Sequence, residues 1–122
     1  ETGMARRVLV SDAILSSAEL IIADEPTPGM DQKATNEIIS YFKDIKKTGK
    51  TSLIISHDIN MALDIADRIA IFYDGRIIEV APVEDFRYQG ETLKNPYSRM
   101  LIRALPENGL KLIKKDELED IC

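Results

Sequence analysis

The stretch that decides the fold is Leu20-Ile21-Ile22-Ala23-Asp24-Glu25-Pro26-Thr27. Four apolar residues run without a break into two carboxylates and a proline, the pattern of a strand buried on both faces of a parallel sheet. Upstream, residues 4–18 read as a helix, with Met4, Val8 and Leu15 to one side and Arg6, Arg7 and Asp12 elsewhere. Downstream, Pro26, Pro28 and Gly29 break the chain. A second helix then carries Ile38, Phe42 and Ile45 at i, i+4 and i+7, and Gly49 closes it. Residues 51–56 form another β-branched and apolar run, followed by His57, Asp58 and a short helix with Ile59, Leu63 and Ala66 on one face. The order strand, helix, strand implies a right-handed crossover and an α/β fold with a mostly parallel sheet and flanking helices. Residues 69–73 and 76–80 are two further β runs around Asp74-Gly75, the signal of a tight antiparallel hairpin that ends the sheet. A helix at about 96–104 and an amphipathic segment at 110–122 complete the reading.

Composition narrows the function. The 122 residues carry 16 Lys and Arg against 21 Asp and Glu, a net charge of −5, without the clustered basic footprint that phosphate neutralisation on nucleic acid requires. No apolar run approaches the roughly 20 residues that span a bilayer. One cysteine, Cys122, cannot form an internal disulfide. The sequence begins at Glu1 without a methionine, so a processed product or a piece of a longer chain is expected.

In a parallel α/β sheet, ligands bind outside the carboxyl ends of the strands. Asp24 and Glu25 end the first strand, and Ser56, His57 and Asp58 end the second, so two carboxylates and the single histidine can meet on one edge. One carboxylate suits a hard cation such as Mg2+ while its neighbour orients or deprotonates water, and His57 suits a phosphate oxygen. Plainer readings stand beside these. Asp24-Glu25 can be loop solvation, His57 an exposed loop residue, and Asp58 and Asp31 helix N-caps. Gly49-Lys50-Thr51 spells the end of a phosphate-binding loop, G-x-x-x-x-G-K-[ST], but Asp44 stands where the first glycine is needed. The triplet also ends a helix instead of opening one, so these 122 residues contain no phosphate cradle.

Together and in order, the motifs resemble the second half of an ATP-binding cassette (ABC transporter) ATPase, from Gly3 to about Pro106. Residues 20–27 look like the Walker B strand with its catalytic glutamate, Gly29-Met30-Asp31 like the D-loop, and Ile54-Ile55-Ser56-His57-Asp58 like the switch-histidine segment. Ala66-Asp67-Arg68-Ile69 and Tyr73-Asp74-Gly75-Arg76-Ile77-Ile78-Glu79 are similar to the hairpin closing the family's core. Asn95-Pro96-Tyr97-Ser98-Arg99 with Leu105-Pro106 is similar to the segment after the core in dipeptide, oligopeptide and nickel importers.

The resemblance implies residues 1–81 as the C-terminal part of the ATPase core and 82–122 as an importer-type extension. It implies ATP and Mg2+ as cofactors, with Asp24 holding the metal, Glu25 polarising the attacking water and His57 contacting the γ-phosphate. Gly3, from the end of the signature motif, and Asp31 would lie where two cassettes meet. The implied partners are a second ATPase subunit and transmembrane permease subunits, at the cytoplasmic face of the membrane. Glu1 and Thr2 replace the serine and first glycine of the signature, and the D-loop lacks its usual alanine-leucine. Cys122 alone cannot form the cysteine-rich tail common in the subgroup. The fragment by itself is expected to be inactive. The alternative is a non-catalytic, self-associating or regulatory module.

Overall fold

The computed structural model describes residues 2–108. Its elements follow in the order α1 (Thr2–Leu15), β1 (Leu20–Asp24), α2 (Gln32–Lys47), β2 (Thr51–Ile55), α3 (Ile59–Ile65), β3 (Arg68–Tyr73), β4 (Arg76–Pro82) and α4 (Pro96–Arg103), with short 3-10 turns at Val83–Phe86, Tyr88–Gly90 and Pro106–Asn108. The expected helix at 110–122, Glu1 and Cys122 lie outside the described residues. The described residues pack as two compact units, divided between Ile65 and Ala66.

In the first unit β1 and β2 pair in parallel, from Leu20 opposite Thr51 to Asp24 opposite Ile55. Helix α2 connects them and lies on one face. Its stripe of Ile38, Phe42 and Ile45 is buried, packed against Ile21, Ala23, Met30, Tyr41, Ile54 and Ile65. Burying such a side chain is worth about 1.5–3 kcal/mol, so this stripe is the main stabilising feature of the unit. Both ends of α2 are capped. Asp31 accepts a hydrogen bond from the Ala34 amide at 2.8 Å, and Gly49, at φ +83°, takes the left-handed turn just past the C-cap Thr48.

Burial departs from the sequence expectation in one respect. The strands bury one face, not two: Ile21, Ala23 and Ile54 turn toward α2, while Leu20, Ile22, Leu53 and Ile55 stay 53, 64, 53 and 52% exposed. An apolar run fits a strand covered on both sides. Here the period-2 alternation of the strand sends every other residue to the face away from α2.

The second unit comprises the hairpin, the short turns after it and α4. Strands β3 and β4 pair antiparallel and form a two-stranded sheet of their own. Asp74 and Gly75 both take positive φ, +48° and +73°, as the tightest two-residue turn requires. A bulge falls between Ile71 and Phe72. The Glu79 carboxylate then accepts the Lys94 and Asn95 amides at 2.9 and 2.8 Å. The Asn95 side chain caps α4 through the Tyr97 amide at 2.9 Å, and Pro96 sits at the first helical position. Arg99 donates to the Leu93 and Lys94 carbonyls at 2.6 and 3.0 Å. Tyr73 and Tyr97 rings lie 4.3 Å apart.

Candidate functional site

The carboxyl ends of β1 and β2 carry the site. Register pairs Asp24 with Ile55, and the Glu25 amide continues the ladder by donating to the Ile55 carbonyl at 2.8 Å. Glu25 nevertheless has φ +47°. A residue with a β-carbon held there costs about 1–2 kcal/mol relative to ordinary backbone, and such outliers gather where a side chain must be aimed. The aim is visible: the Glu25 Oε1 meets the His57 Nδ1. A carboxylate only accepts, so the proton of this contact sits on Nδ1 and the far side of the imidazole stays open. Glu25 is the better shielded partner, with its side chain 28% exposed against 98% for His57.

The loop holding His57 is set by local bonds. The Ser56 hydroxyl accepts from the Asp58 amide at 3.0 Å, and the Asp58 carboxylate accepts from the Met61 amide at 3.0 Å. Asp58 therefore acts as the N-cap of α3, the plainer reading of that residue. The two strand ends and the start of α2 border a shallow, open cleft of about 410 Å³, lined among others by Glu25, Thr27, Met30, Thr35, Ser56 and His57.

Of the residues singled out from sequence, Glu25 and His57 are brought together in this cleft. Asp24 sits exposed at the end of β1 and does not line it. Asp31 lies at the start of α2 as its N-cap, and Gly3 falls in the first turn of α1. Thr35, on the first turns of α2, also lines the cleft, and no motif in the sequence points to it.

Among the described residues no group of three or more His, Cys, Asp or Glu side chains is gathered to hold a metal. A Mg2+ ion commonly takes one or two protein carboxylates and completes its shell with phosphate oxygens and water, and the exposed carboxylate of Asp24 fits that part. No described helix is long and apolar enough to cross a membrane.

Solved structures show the class of the fold. The fold matches an ATP-binding cassette of an ABC transporter in its ADP conformation, with TM-score 0.61 and 24% identity over 69% of this chain and 35% of that one. It also matches a dimeric, post-hydrolysis ATP-binding cassette bound to ADP and Pi, with TM-score 0.58 and 30% identity over 66% of this chain and 35% of that one. The chain thus has the fold of an ABC ATPase cassette.

Sequence relatives narrow the class. The dipeptide transport ATP-binding protein DppD of Bacillus subtilis (strain 168) is 32% identical over 93% of this chain and 34% of its own length. The oligopeptide transport ATP-binding protein OppD of Lactococcus lactis subsp. cremoris (strain SK11) is 37% identical over 85% of this chain and 30% of its own. The peptide transport system ATP-binding protein SapD of Salmonella typhimurium is 32% identical over 98% of this chain and 36% of its own. Its homologues are therefore ATP-binding proteins of peptide ABC importers, and the chain spans about a third of their length. No protein-family model matches the chain.

Proposed function

We propose that this chain supplies the Walker B, D-loop and switch-histidine part of the ATP-hydrolysing subunit of an ABC importer for peptides or nickel. The observation that most supports this is the contact of Glu25 with His57 across the ends of two parallel strands, in a cleft open to a ligand. Residues 1–81 act as the C-terminal part of the ATPase core and 82–122 as the importer-type extension, a division by likeness that cuts across the packing units.

In this reading Glu25 accepts a hydrogen bond from the attacking water and takes up its proton as the oxygen moves to phosphorus. His57 holds Glu25 through Nδ1, and as an imidazolium with both nitrogens protonated it would donate through Nε2 to the γ-phosphate, so the same contact that orients the base also sets the imidazole. Asp24 would hold Mg2+, which when bound neutralises charge on the phosphates. Asp31 and Gly3 would contact the nucleotide held by a second ATPase subunit. Permease subunits in the membrane would use the resulting closure, with the cassette at the cytoplasmic face.

These 122 residues contain no G-x-x-x-x-G-K-[ST] loop, so nothing here grips the β- and γ-phosphates. Calorimetric titration of the chain with Mg-ATP is expected to show no saturable binding at micromolar ligand. The decisive experiment grafts the chain in place of the aligned third of the Bacillus subtilis dipeptide transport protein. The chimera is expected to hydrolyse ATP, and Glu25→Gln to lower turnover roughly 100-fold or more. Wild-type turnover in the Glu25→Gln chimera would remove Glu25 from the chemistry.

One observation favours the second reading, a non-catalytic module that pairs with itself: the open face of Leu20, Ile22, Leu53 and Ile55. Light scattering separates the two, since a monomer that persists on concentration excludes self-association.

A further inference from the structure

Lys50 belongs to the Gly49-Lys50-Thr51 triplet, which imitates a phosphate-binding loop and holds no phosphate here. Its ammonium is spent elsewhere. It donates to the Ala13 carbonyl at 3.2 Å and to the Ser16 carbonyl. Both acceptors lie at the C-terminal end of α1, where the last carbonyls of a helix have no partner within it and carry the negative end of the helix dipole.

That end needs help. Helix α1 has no basic residue in its last turn, and Ser16-Ser17-Ala18 follow where a glycine would give a left-handed stop. The partial substitutes are local: Ser16 returns its amide to the Asp12 carbonyl at 2.9 Å and its hydroxyl to the Ala13 carbonyl at 2.8 Å. Neither brings a charge. Lys50 brings one from a point 34 residues away from Ser16.

The route explains the triplet. Gly49 takes φ +83° to leave α2, and the next residue but one, Thr51, donates its amide to the Glu19 carbonyl at 2.9 Å. Lys50 is thus held between two fixed backbone points, beside the segment that joins α1 to β1.

We propose that Lys50 is the C-terminal cap of α1, supplied from the residue that precedes β2. It ties the end of α1 to the start of the strand whose far end leads into His57. This goes beyond the nucleotide reading and does not depend on it. Its bearing on turnover would rest on that reading, but the test does not.

The test is amide hydrogen exchange on the full 122-residue chain. In Lys50→Met, amides 13–19 are expected to exchange roughly tenfold faster, the loss of charge-assisted hydrogen bonds acting on a local opening. Amides in the middle of α2 should keep their rates, and Lys50→Arg should restore protection. Unchanged rates at 13–19, or an equal acceleration through α2, would overturn the proposal. Should Lys50→Met fail to fold, the unmodified chain answers the question through the nitrogen resonance of the Lys50 ammonium. Its protons are expected to exchange with water more slowly than those of Lys47, whose side chain is 80% exposed. Equal exchange would exclude the cap.

Discussion

Residues 2–65 and residues 66–108 are held together by different means. The first unit relies on one long amphipathic helix laid on a parallel strand pair, with Ile38, Phe42 and Ile45 buried as a single stripe. In the second, a short hairpin leads into a segment with little regular structure. A polar clamp fixes its path: Glu79 on two backbone amides, Asn95 on the first turn of α4, and Arg99 on two carbonyls. Apolar side chains are buried in this unit as well, Ala81, Val83, Phe86, Leu93 and Ile102, but they are scattered along the hairpin, the turns and α4 and form no single stripe. Apolar burial is non-directional and tolerates small shifts of an element, whereas hydrogen bonds to backbone amides fix particular atoms. The candidate site sits on the first kind of support, at the strand ends. The second kind suits a segment whose path must be specified without a sheet or a long helix to follow.

The largest expected effect tests the apolar side of this contrast. Phe42→Ala should cost about 3–5 kcal/mol, a cavity in the centre of the stripe. That is comparable to the whole stability of a small domain. Hydrogen exchange should show amides of α2, β1 and β2 losing protection, while the β3–β4 hairpin retains its own. Equal loss in the hairpin would mean that the two units unfold as one, and the contrast would fail.

A smaller effect tests the polar side. Glu79→Ala leaves the Lys94 and Asn95 amides without their carboxylate, and water can replace part of what is lost because the site is partly exposed. The expected cost is about 1–2 kcal/mol, read by urea unfolding. It should be localised: α4 amides exchange faster while those of α2 do not. A loss as large as that of Phe42→Ala would show that the clamp bears more of the second unit than its hydrogen bonds suggest.

The two supports also differ in how legible they are in the sequence. The stripe on α2, its caps at Asp31 and Gly49, and the Asp74-Gly75 turn follow from spacing and turn chemistry, and the structure has each where those rules put it. The meeting of Glu25 and His57 follows from strand-end logic, although the left-handed backbone of Glu25 does not, since nothing in Asp-Glu-Pro asks for it. The open face of β1 and β2 departs from the sequence expectation because an apolar strand reports only what it can bury, not what packs on it. The Glu79 clamp is invisible in the sequence because its partners lie 15 and 16 residues away and are backbone amides, which no side-chain pattern records. Tyr88 and Gln89 likewise take positive φ just ahead of Gly90, where glycine alone would be expected to.

The smallest effect falls where support and the proposed site overlap, at Asp31. Its carboxylate caps α2 by accepting the Ala34 amide, and the resemblance also gives it a place at the junction of two cassettes. The two roles separate by substitution. Asp31→Ala removes the cap and should cost about 1 kcal/mol in thermal or urea unfolding of the chain. Asp31→Asn keeps a capping oxygen of similar strength while removing the charge, so its stability should stay near that of the wild type. If Asp31→Asn destabilises as much as Asp31→Ala, the charge acts on the positive end of the α2 dipole more than the hydrogen bond does. If Asp31→Asn is silent in the isolated chain but lowers turnover in the chimeric cassette, the carboxylate has work outside its own helix. In that case a residue that looks purely structural within one chain becomes part of the site only when a second cassette faces it.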